Sequence, residues 1–512
     1  MQIGIFMNYA PGAVLRKEGL GRYIGGLIKG FSQSENHVQI VCPKWLVGPI
    51  EELFRDMDLS RDGIDIFTCK MPPIWRIWQL YTSMHSKAKR KPLGLRKWLR
   101  DLLQREFTKL ARTTSTASFV LWILRCIIAI ILLALISIPV LIIAAFWGIL
   151  QLIKRVWDPV KKGMASIISF DLLLQAMIDQ SAVDLVSMIN RSIKADVWYV
   201  PALFWPEVCS IKAPVVINIP DIETEFLPEE FAMKNTEAQT DRCRKTVNDG
   251  HYFITYSNTI KNHVIDTIYY GNGKKAIVIP HMNNNMLPYI SIDDAVSKQL
   301  NVEHDFTISH ARALVRGLTG GCYGYLFYPT QYRPNKNILT LLKAYNYLLH
   351  KKFRSEKLVL TGNIYFDESI SKYIQDNDLS NEVLICYNVS SKQLAALYAC
   401  ASLAVCPTLY EGGFPFSFGE GMSVGTPSIM SNIPQTREII DNTNLGDILF
   451  DPHDWKTLAE KIEWALDNRS ELYKRELVLY NELKIRTADT VAKEYIEAFE
   501  VFIDEWNRRD SI

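Results

Sequence analysis

The feature that most constrains this chain is a repeated alternation of short apolar runs with stretches of helical spacing. Gln2–Met7, His37–Cys42, Ile64–Thr68, Val197–Val200, Val215–Ile219, Tyr252–Tyr256 and Ala276–Ile279 each read as a strand. Helical spacing at Gly19–Phe31, Phe170–Ile193 and Asn258–Tyr269 falls between them. A second series opens at Tyr325–Tyr328. It continues through helix Ile338–His350, strand Leu358–Leu360, helix Asp367–Asn377, strand Val383–Ile385, helix Ser391–Ala401, strand Leu403–Cys406 and helix Phe416–Ser423. A last helical stretch runs from Val491 to Arg508. Strands alternating with helices specify a mostly parallel sheet covered by helices. Two such series predict an α/β protein of two Rossmann-like, doubly wound domains facing a cleft. Ligands prefer the C-terminal strand ends of such domains.

The alternation is broken once. Between Cys126 and Ile153 about 28 residues carry no charge, above the ~18-residue threshold for a membrane candidate. Phe119–Leu124 extends the block, interrupted only by Arg125. A basic tract, Lys87–Arg112, precedes it, and Lys154, Arg155, Lys161 and Lys162 follow. Lys and Arg mark the cytoplasmic side of a membrane segment, and here both ends carry them. Pro139 sits near the middle and can break a helix. Two halves of about 15 residues would each reach roughly 22 Å, short of a ~30 Å hydrocarbon core. The pattern predicts an inserted apolar helical hairpin that dips into a membrane and returns. A buried helix pair and a single span stay open as readings. The basic tract is expected to meet anionic lipid, its plainer reading being a solvated helix face.

Composition narrows the class further. A net charge of +2 over 512 residues argues against bulk nucleic-acid binding. A mean hydropathy of +0.01 blends one apolar block with an otherwise soluble-looking chain. The nine cysteines are scattered and form no C-x-x-C pair. That argues against a disulfide framework or a zinc site and fits a reduced compartment. The first residues, MQIGIFMNYA, read as a strand that starts at once, so no signal peptide is expected.

The most informative segment is Cys406–Ile440, CPTLYEGGFPFSFGEGMSVGTPSIMSNIPQTREII. A strand runs into Glu411-Gly412-Gly413, whose glycines allow close backbone approach. Pro415 suits a first helical turn, and the following helix points free N–H groups at the loop, as a diphosphate requires. Glu420, one to two turns on, can accept from ribose or sugar hydroxyls. The bland reading is a plain strand–turn–helix with surface glutamates.

This segment resembles the donor-binding signature of GT-B glycosyltransferases of family 4, the glycosyl transferases group 1, written E-G-F-G-x-P-x-x-E-A-M-A-x-G-T-P. Glu411, Gly412, Glu420, Met422, Gly425, Thr426 and Pro427 match it. The two glutamates are nine apart here, not the usual eight. The resemblance implies that Glu411 contacts the donor sugar, that Glu420 binds the ribose, and that Gly412 and Gly413 help hold the diphosphate. Tyr328–Asn337, YPTQYRPNKN, is similar to the segment that gives Lys336 and Arg333 to the leaving diphosphate, where negative charge builds as the glycosidic bond breaks. Glu18–Tyr23 resembles the G-x-G-R-Y loop that would bring Gly21 to the donor phosphate. Asn218–Phe231 resembles a strand end whose usual His is Pro220 here, while Asp221 remains. By position, Asn388 and Val389 would cradle the base. Glu438 reads as structural, and His281 as a satisfied linker histidine.

The resulting expectation has four parts. Residues 1–285 form the acceptor-side domain, with 71–168 inserted as a membrane-associated region, and 286–320 link it onward. Residues 321–480 form the nucleotide-sugar domain. Residues 481–512 form a C-terminal helix packing back on the first domain. The resemblance implies a retaining, metal-independent hexosyltransferase using GDP-mannose or a UDP-hexose and no cofactor. Its partners would be the nucleotide sugar, a glycan or lipid-linked acceptor of polysaccharide, lipopolysaccharide or glycolipid synthesis, and membrane lipids, with no nucleic acid. It would work at the cytoplasmic face of a membrane, the bacterial inner membrane. A protein acceptor and a non-catalytic membrane scaffold are the alternatives.

Overall fold

The computed structural model describes residues 1–17, 19–33, 36–69, 124–125, 127, 170–221, 237–268, 275–290, 324–362, 367–386 and 389–509. The chain divides into two compact units, one of Met1–Lys70 with Ser181–Ile512, the other Met71–Gln180. The expected apolar hairpin at Cys126–Ile153 and the basic tract Lys87–Arg112 lie, but for Ile127, outside the described residues. Among the described residues no helix is long and apolar enough to cross a membrane.

The first unit holds two parallel sheets. One contains β1 (Gln2–Phe6), β2 (His37–Pro43), β3 (Ile64–Cys69), β4 (Val197–Val200), β5 (Val215–Ile219), β6 (Tyr252–Thr255) and β7 (Lys275–Val278). Its strand order is β3-β2-β1-β4-β5-β6-β7, every neighbour parallel. The other contains β8 (Tyr325–Tyr328), β9 (Lys357–Leu360), β10 (Val383–Ile385), β11 (Leu403–Cys406), β12 (Ser428–Ser431) and β13 (Leu449–Phe450). Its order, β10-β9-β8-β11-β12-β13, repeats the plan, again in parallel. In each sheet the winding reverses once, between β1 and β4 and between β8 and β11. A crevice opens at the C-terminal strand ends of such a switch point.

These strands form because parallel sheets are covered on both faces and so read as near-continuous apolar runs. Ile3, Ile5, Val197, Tyr199, Val216, Ile217, Phe253 and Ile254 are all fully buried. Gly4 interrupts β1 for a steric reason: a Cβ there would lie 2.5 Å from the Trp198 ring on β4. The helices used below are α1 (Gly19–Gln33), α2 (Ser391–Cys400), α3 (Phe416–Met422), α4 (Pro434–Ile440), α5 (Arg469–Leu483) and α6 (Ala488–Arg509).

Although α6 follows the second sheet in sequence, it packs in the first sheet's core. Tyr495, Phe499 and Phe502 join Ile24, Leu27, Ile28 and Phe31 of α1 there. At about 1.5–3 kcal/mol per buried large apolar side chain, those three aromatics contribute roughly 5–9 kcal/mol before ordering entropy. Close approach depends on Gly30, where a Cβ would lie 2.4 Å from Ala492 Cβ and 2.7 Å from the Ala488 carbonyl oxygen.

Candidate active site

The two loops that leave the switch point of the second sheet are tied together by polar groups. After β11, the Thr408 hydroxyl donates to the carbonyls of Asn335 (3.1 Å) and Tyr410 (2.9 Å). The Leu409 amide donates to the same Asn335 carbonyl at 2.7 Å. The Asn335 side chain donates back to the Tyr410 carbonyl at 3.2 Å. Asn337 adopts a left-handed conformation, φ 54°, and its side-chain amide donates to the carbonyls of Pro407 and Pro452. Asn tolerates that backbone region better than most residues. The consequence is that Lys336 and Glu411, 75 positions apart, meet as an ion pair at 2.6 Å. Both side chains are less than a quarter exposed.

Glu420 projects from α3 and is 4% exposed. Its carboxylate accepts from the Tyr398 hydroxyl of α2 (2.8 Å) and from the Asn284 amide (3.0 Å). Arg22 of α1 reaches it at 3.7 Å. Burial, then the neighbouring Glu420, pushes the Tyr398 phenol well above its ordinary range, so this hydroxyl stays a donor. Arg22 Nε is buried and, among the described residues, has no hydrogen-bond partner.

One cavity of about 530 Å³ collects these groups. From the first sheet come Tyr9, Arg22, Pro220 and Asp221; from the second come Arg333, Lys336, Val389, Glu411 and Glu420. Five charged site residues expected from the sequence, Glu411, Lys336, Arg333, Asp221 and Glu420, thus share one space with Val389. Asn388 lies outside the described residues.

The three expected glycines behave differently. A Cβ on Gly412 would sit 1.6 Å from the Pro220 carbonyl oxygen, and one on Gly413 would sit 3.0 Å from Tyr256 Cβ. A Cβ on Gly21 would sit 2.1 Å from the Leu15 carbonyl oxygen. Backbone therefore packs on the open Cα faces of Gly412 and Gly21, and the Tyr256 and His281 side chains pack on that of Gly413. Gly412 and Gly413 let the loop after β11 lie against the strand ends of the first sheet, where the Ser257 hydroxyl donates to the Gly412 carbonyl at 2.9 Å. Asp221 is drawn to the same place: its Cβ would lie 3.4 Å from a Cβ on Gly412.

His281 and Glu438 brace this contact. The His281 ring nitrogens lie 2.5 Å from the Phe414 carbonyl oxygen and 3.1 Å from that of Met282, and its ring stacks at 4.0 Å on Phe416. Burial lowers the His281 pKa. Glu438 accepts from the amides of Asn258 (2.9 Å) and Thr259 (2.7 Å), and from the Thr259 hydroxyl. Arg22, Tyr398 and Asn284 were not singled out by sequence reasoning. Arg22 lies inside the glycine loop already quoted; the other two have no local signal. Among the described residues, no group of three His, Cys, Asp or Glu side chains gathers as a metal site.

Residues 323–476 match the family model described as Glycosyl transferases group 1. That span holds β8–β13 with Lys336, Glu411 and Glu420. The chain is 29% identical over 148 residues to O-antigen chain mannosyltransferase B of Escherichia coli, covering 29% of this chain and 38% of the relative. It is 29% identical over 158 residues to MMP alpha-(1->4)-mannosyltransferase of Mycolicibacterium hassiacum, with the same two shares. The chain thus spans well under half the length of the curated relatives it matches. Among solved structures, sucrose-phosphate synthase from Thermosynechococcus elongatus superimposes with a TM-score of 0.60 at 13% identity, covering 98% of this chain and 99% of that one. Anabaena HepE in complex with UDP and glucose gives 0.56 at 12% identity, covering 98% and 100%. At such identities the likeness concerns the fold, two parallel α/β sheets on either side of a cleft.

Proposed function

We propose that this chain is a retaining, metal-independent glycosyltransferase that moves a hexose from a nucleotide sugar to a glycan or lipid-linked acceptor. The observation that carries the reading is the single cavity in which Lys336, Arg333, Glu411, Glu420 and Asp221 converge. The family match over 323–476 supports it. In the proposed reaction the acceptor hydroxyl attacks the anomeric carbon from the face that the diphosphate leaves. The bond from the anomeric carbon to the phosphate oxygen breaks, the glycosidic bond forms, and the hydroxyl proton passes to the departing phosphate. Lys336 and Arg333 stabilise the charge that builds there. Removing one such preorganised donor typically costs about 10²–10³ in kcat. Glu411, held by Lys336, orients the donor sugar. Glu420, fixed by Tyr398 and Asn284, takes a ribose hydroxyl. Asp221, just after β5, lines the same cavity and is assigned to the acceptor side.

Curated relatives named as mannosyltransferases favour a GDP-mannose donor. A solved structure of like fold holds UDP and glucose, which keeps a UDP-hexose in the test. A ligand that binds only the folded chain raises its apparent stability by mass action. A thermal-shift series with GDP, UDP and their sugars is expected to show a rise with at least one of them. No rise with any would contradict the reading.

The same proposal assigns 1–285 to the acceptor side, 286–320 to the link, 321–480 to the donor and 481–512 to the return helix. It also places the enzyme on a cytoplasmic membrane face through 71–168. This last part rests on the uncharged run Cys126–Ile153 and its basic flanks. Deleting Cys126–Ile153 is expected to move the protein out of the membrane fraction and to reduce activity on a lipid-linked acceptor. Unchanged fractionation and activity would remove the membrane role.

A further inference from the structure

Behind the loop from Glu411 to α3 lies a second cavity, of about 210 Å³. Pro415 and Phe416 line both this cavity and the first. Its polar centre is Gln435 on α4, which is 1% exposed. Among the described residues neither its Nε2 nor its Oε1 has a hydrogen-bond partner. A buried amide in that state carries its full desolvation penalty, and native structures rarely tolerate one without use. Arg486 also lines the cavity, and its Nε is buried and without a hydrogen-bond partner among the described residues.

The charges of the wall are already matched. Arg486 makes a two-point pair with Glu494 at 2.9 and 2.8 Å and also donates to the Pro280 carbonyl. Glu438 is satisfied by two amides and a hydroxyl. The unused capacity of these buried groups is therefore the Gln435 amide, with two N–H donors and a carbonyl acceptor, and one N–H of the already paired Arg486. The rest of the wall is largely apolar, with Phe414 and Ile439 prominent. An anion or cation would find no uncompensated partner here. A molecule with adjacent hydroxyls would find an amide that both donates and accepts, with apolar surface for its C–H faces. The volume suits one sugar ring and is under half that of the first cavity.

We propose that this cavity is a second ligand site that takes a free, neutral monosaccharide. Because Phe416 and Pro415 stand in both walls, a sugar held here would steady the loop that carries Glu411 towards α3. The site is argued from its own residues and does not depend on the reaction proposed for the first cavity.

The test is ligand-detected NMR on the full chain with D-mannose and with D-glucose as probes, in wild type, Gln435→Leu and Glu411→Gln. Gln435→Leu removes two hydrogen bonds to the sugar, so binding of the bound hexose should weaken roughly ten- to hundredfold. Glu411→Gln, which alters only the first cavity, should leave that binding in place. Since the lost amide is unpartnered, Gln435→Leu should melt no lower than wild type. Should it fail to fold, Asn258→Trp at the exposed rim closes the mouth and carries the same expectation. Equal binding in wild type and the Gln435 or Asn258 variant overturns the proposal. So does loss of binding in Glu411→Gln, which would put the sugar in the first cavity. Absence of binding by either hexose in wild type also overturns it and leaves the cavity to water.

Discussion

Gly412 offers a sharp test of how the active cleft is held. Its missing side chain is where the loop after β11 touches the end of β5. Gly412→Ala would place a methyl carbon 1.6 Å from the Pro220 carbonyl oxygen and 2.7 Å from its carbonyl carbon. An ordinary contact needs roughly 3.5 Å, so one backbone must retreat by about 2 Å. Both are backbone segments, and no side chain can swing aside. Overpacking of this kind costs about 1–3 kcal/mol in stability. The effect on turnover should be larger in proportion. Asp221 and Glu411 sit on the two segments being forced apart, and a misplacement of about 1 Å in a reacting constellation can cost 10²-fold. We expect Gly412→Ala to fold and to lose at least about 10²-fold in nucleotide-sugar turnover. Gly63→Ala separates the two effects. Gly63 lies in the turn before β3 with φ 72°, so an alanine there costs about 1–2 kcal/mol in backbone strain without touching the cleft. Melting curves and release of nucleoside diphosphate would be measured for both. If Gly412→Ala turned over as fast as Gly63→Ala at equal loss of stability, the contact with Pro220 would not position the site.

Three further outcomes follow from the same structure. Lys336→Met keeps the length of the side chain but removes the cation and strands Glu411; kcat should fall by about 10²–10³, read as diphosphate release. Gly30→Ala pushes α6 off α1, because its methyl would lie 2.4 Å from Ala492 Cβ; a loss of about 1–3 kcal/mol and faster proteolysis of residues 488–509 are expected in limited digestion. Glu476 is fully buried on α5, where burial raises its carboxyl well above the ordinary 4.5. A raised carboxyl pKa means that stability is full below about 4.5 and falls as pH rises above it. Glu476→Gln keeps an acceptor for the Ser428 amide, so it should stabilise the chain at pH 7 and lose that advantage at low pH in melts across pH.

Much of the architecture was legible because buried parallel strands leave apolar runs that local reading detects. Val197–Val200, Val215–Ile219, Tyr325–Tyr328, Val383–Ile385 and Leu403–Cys406 begin and end where the alternation places them. β12 and β13 escaped it. Ser428 and Ser431 of β12 are buried serines, the first donating its amide N–H to Glu476 and the second its hydroxyl to the Cys406 carbonyl, so a core strand reads as a polar turn. β13 is two residues long. The charged residues of the site were legible because each sits in or just after a strand-end motif, and the resemblance implied that they share one donor. The bonds that bring them together left no local signal: Lys336 joins Glu411 through the bonds of Thr408 and Asn335, and Arg22 joins Glu420 across nearly 400 positions. Sequence gives Gly412 and Gly413 to close backbone approach, and the structure adds that Pro220 and Tyr256 of the same chain lie against their missing Cβ positions.

The most direct measurement of the central claim is the release of nucleoside diphosphate from GDP-mannose and from UDP-glucose by the whole chain, alongside Glu411→Gln. The account predicts turnover of at least one donor by wild type and a rate at least about 10²-fold lower in the variant. Equal rates in the two proteins, or no release from either donor, would contradict it and leave the chain a fold without the reaction.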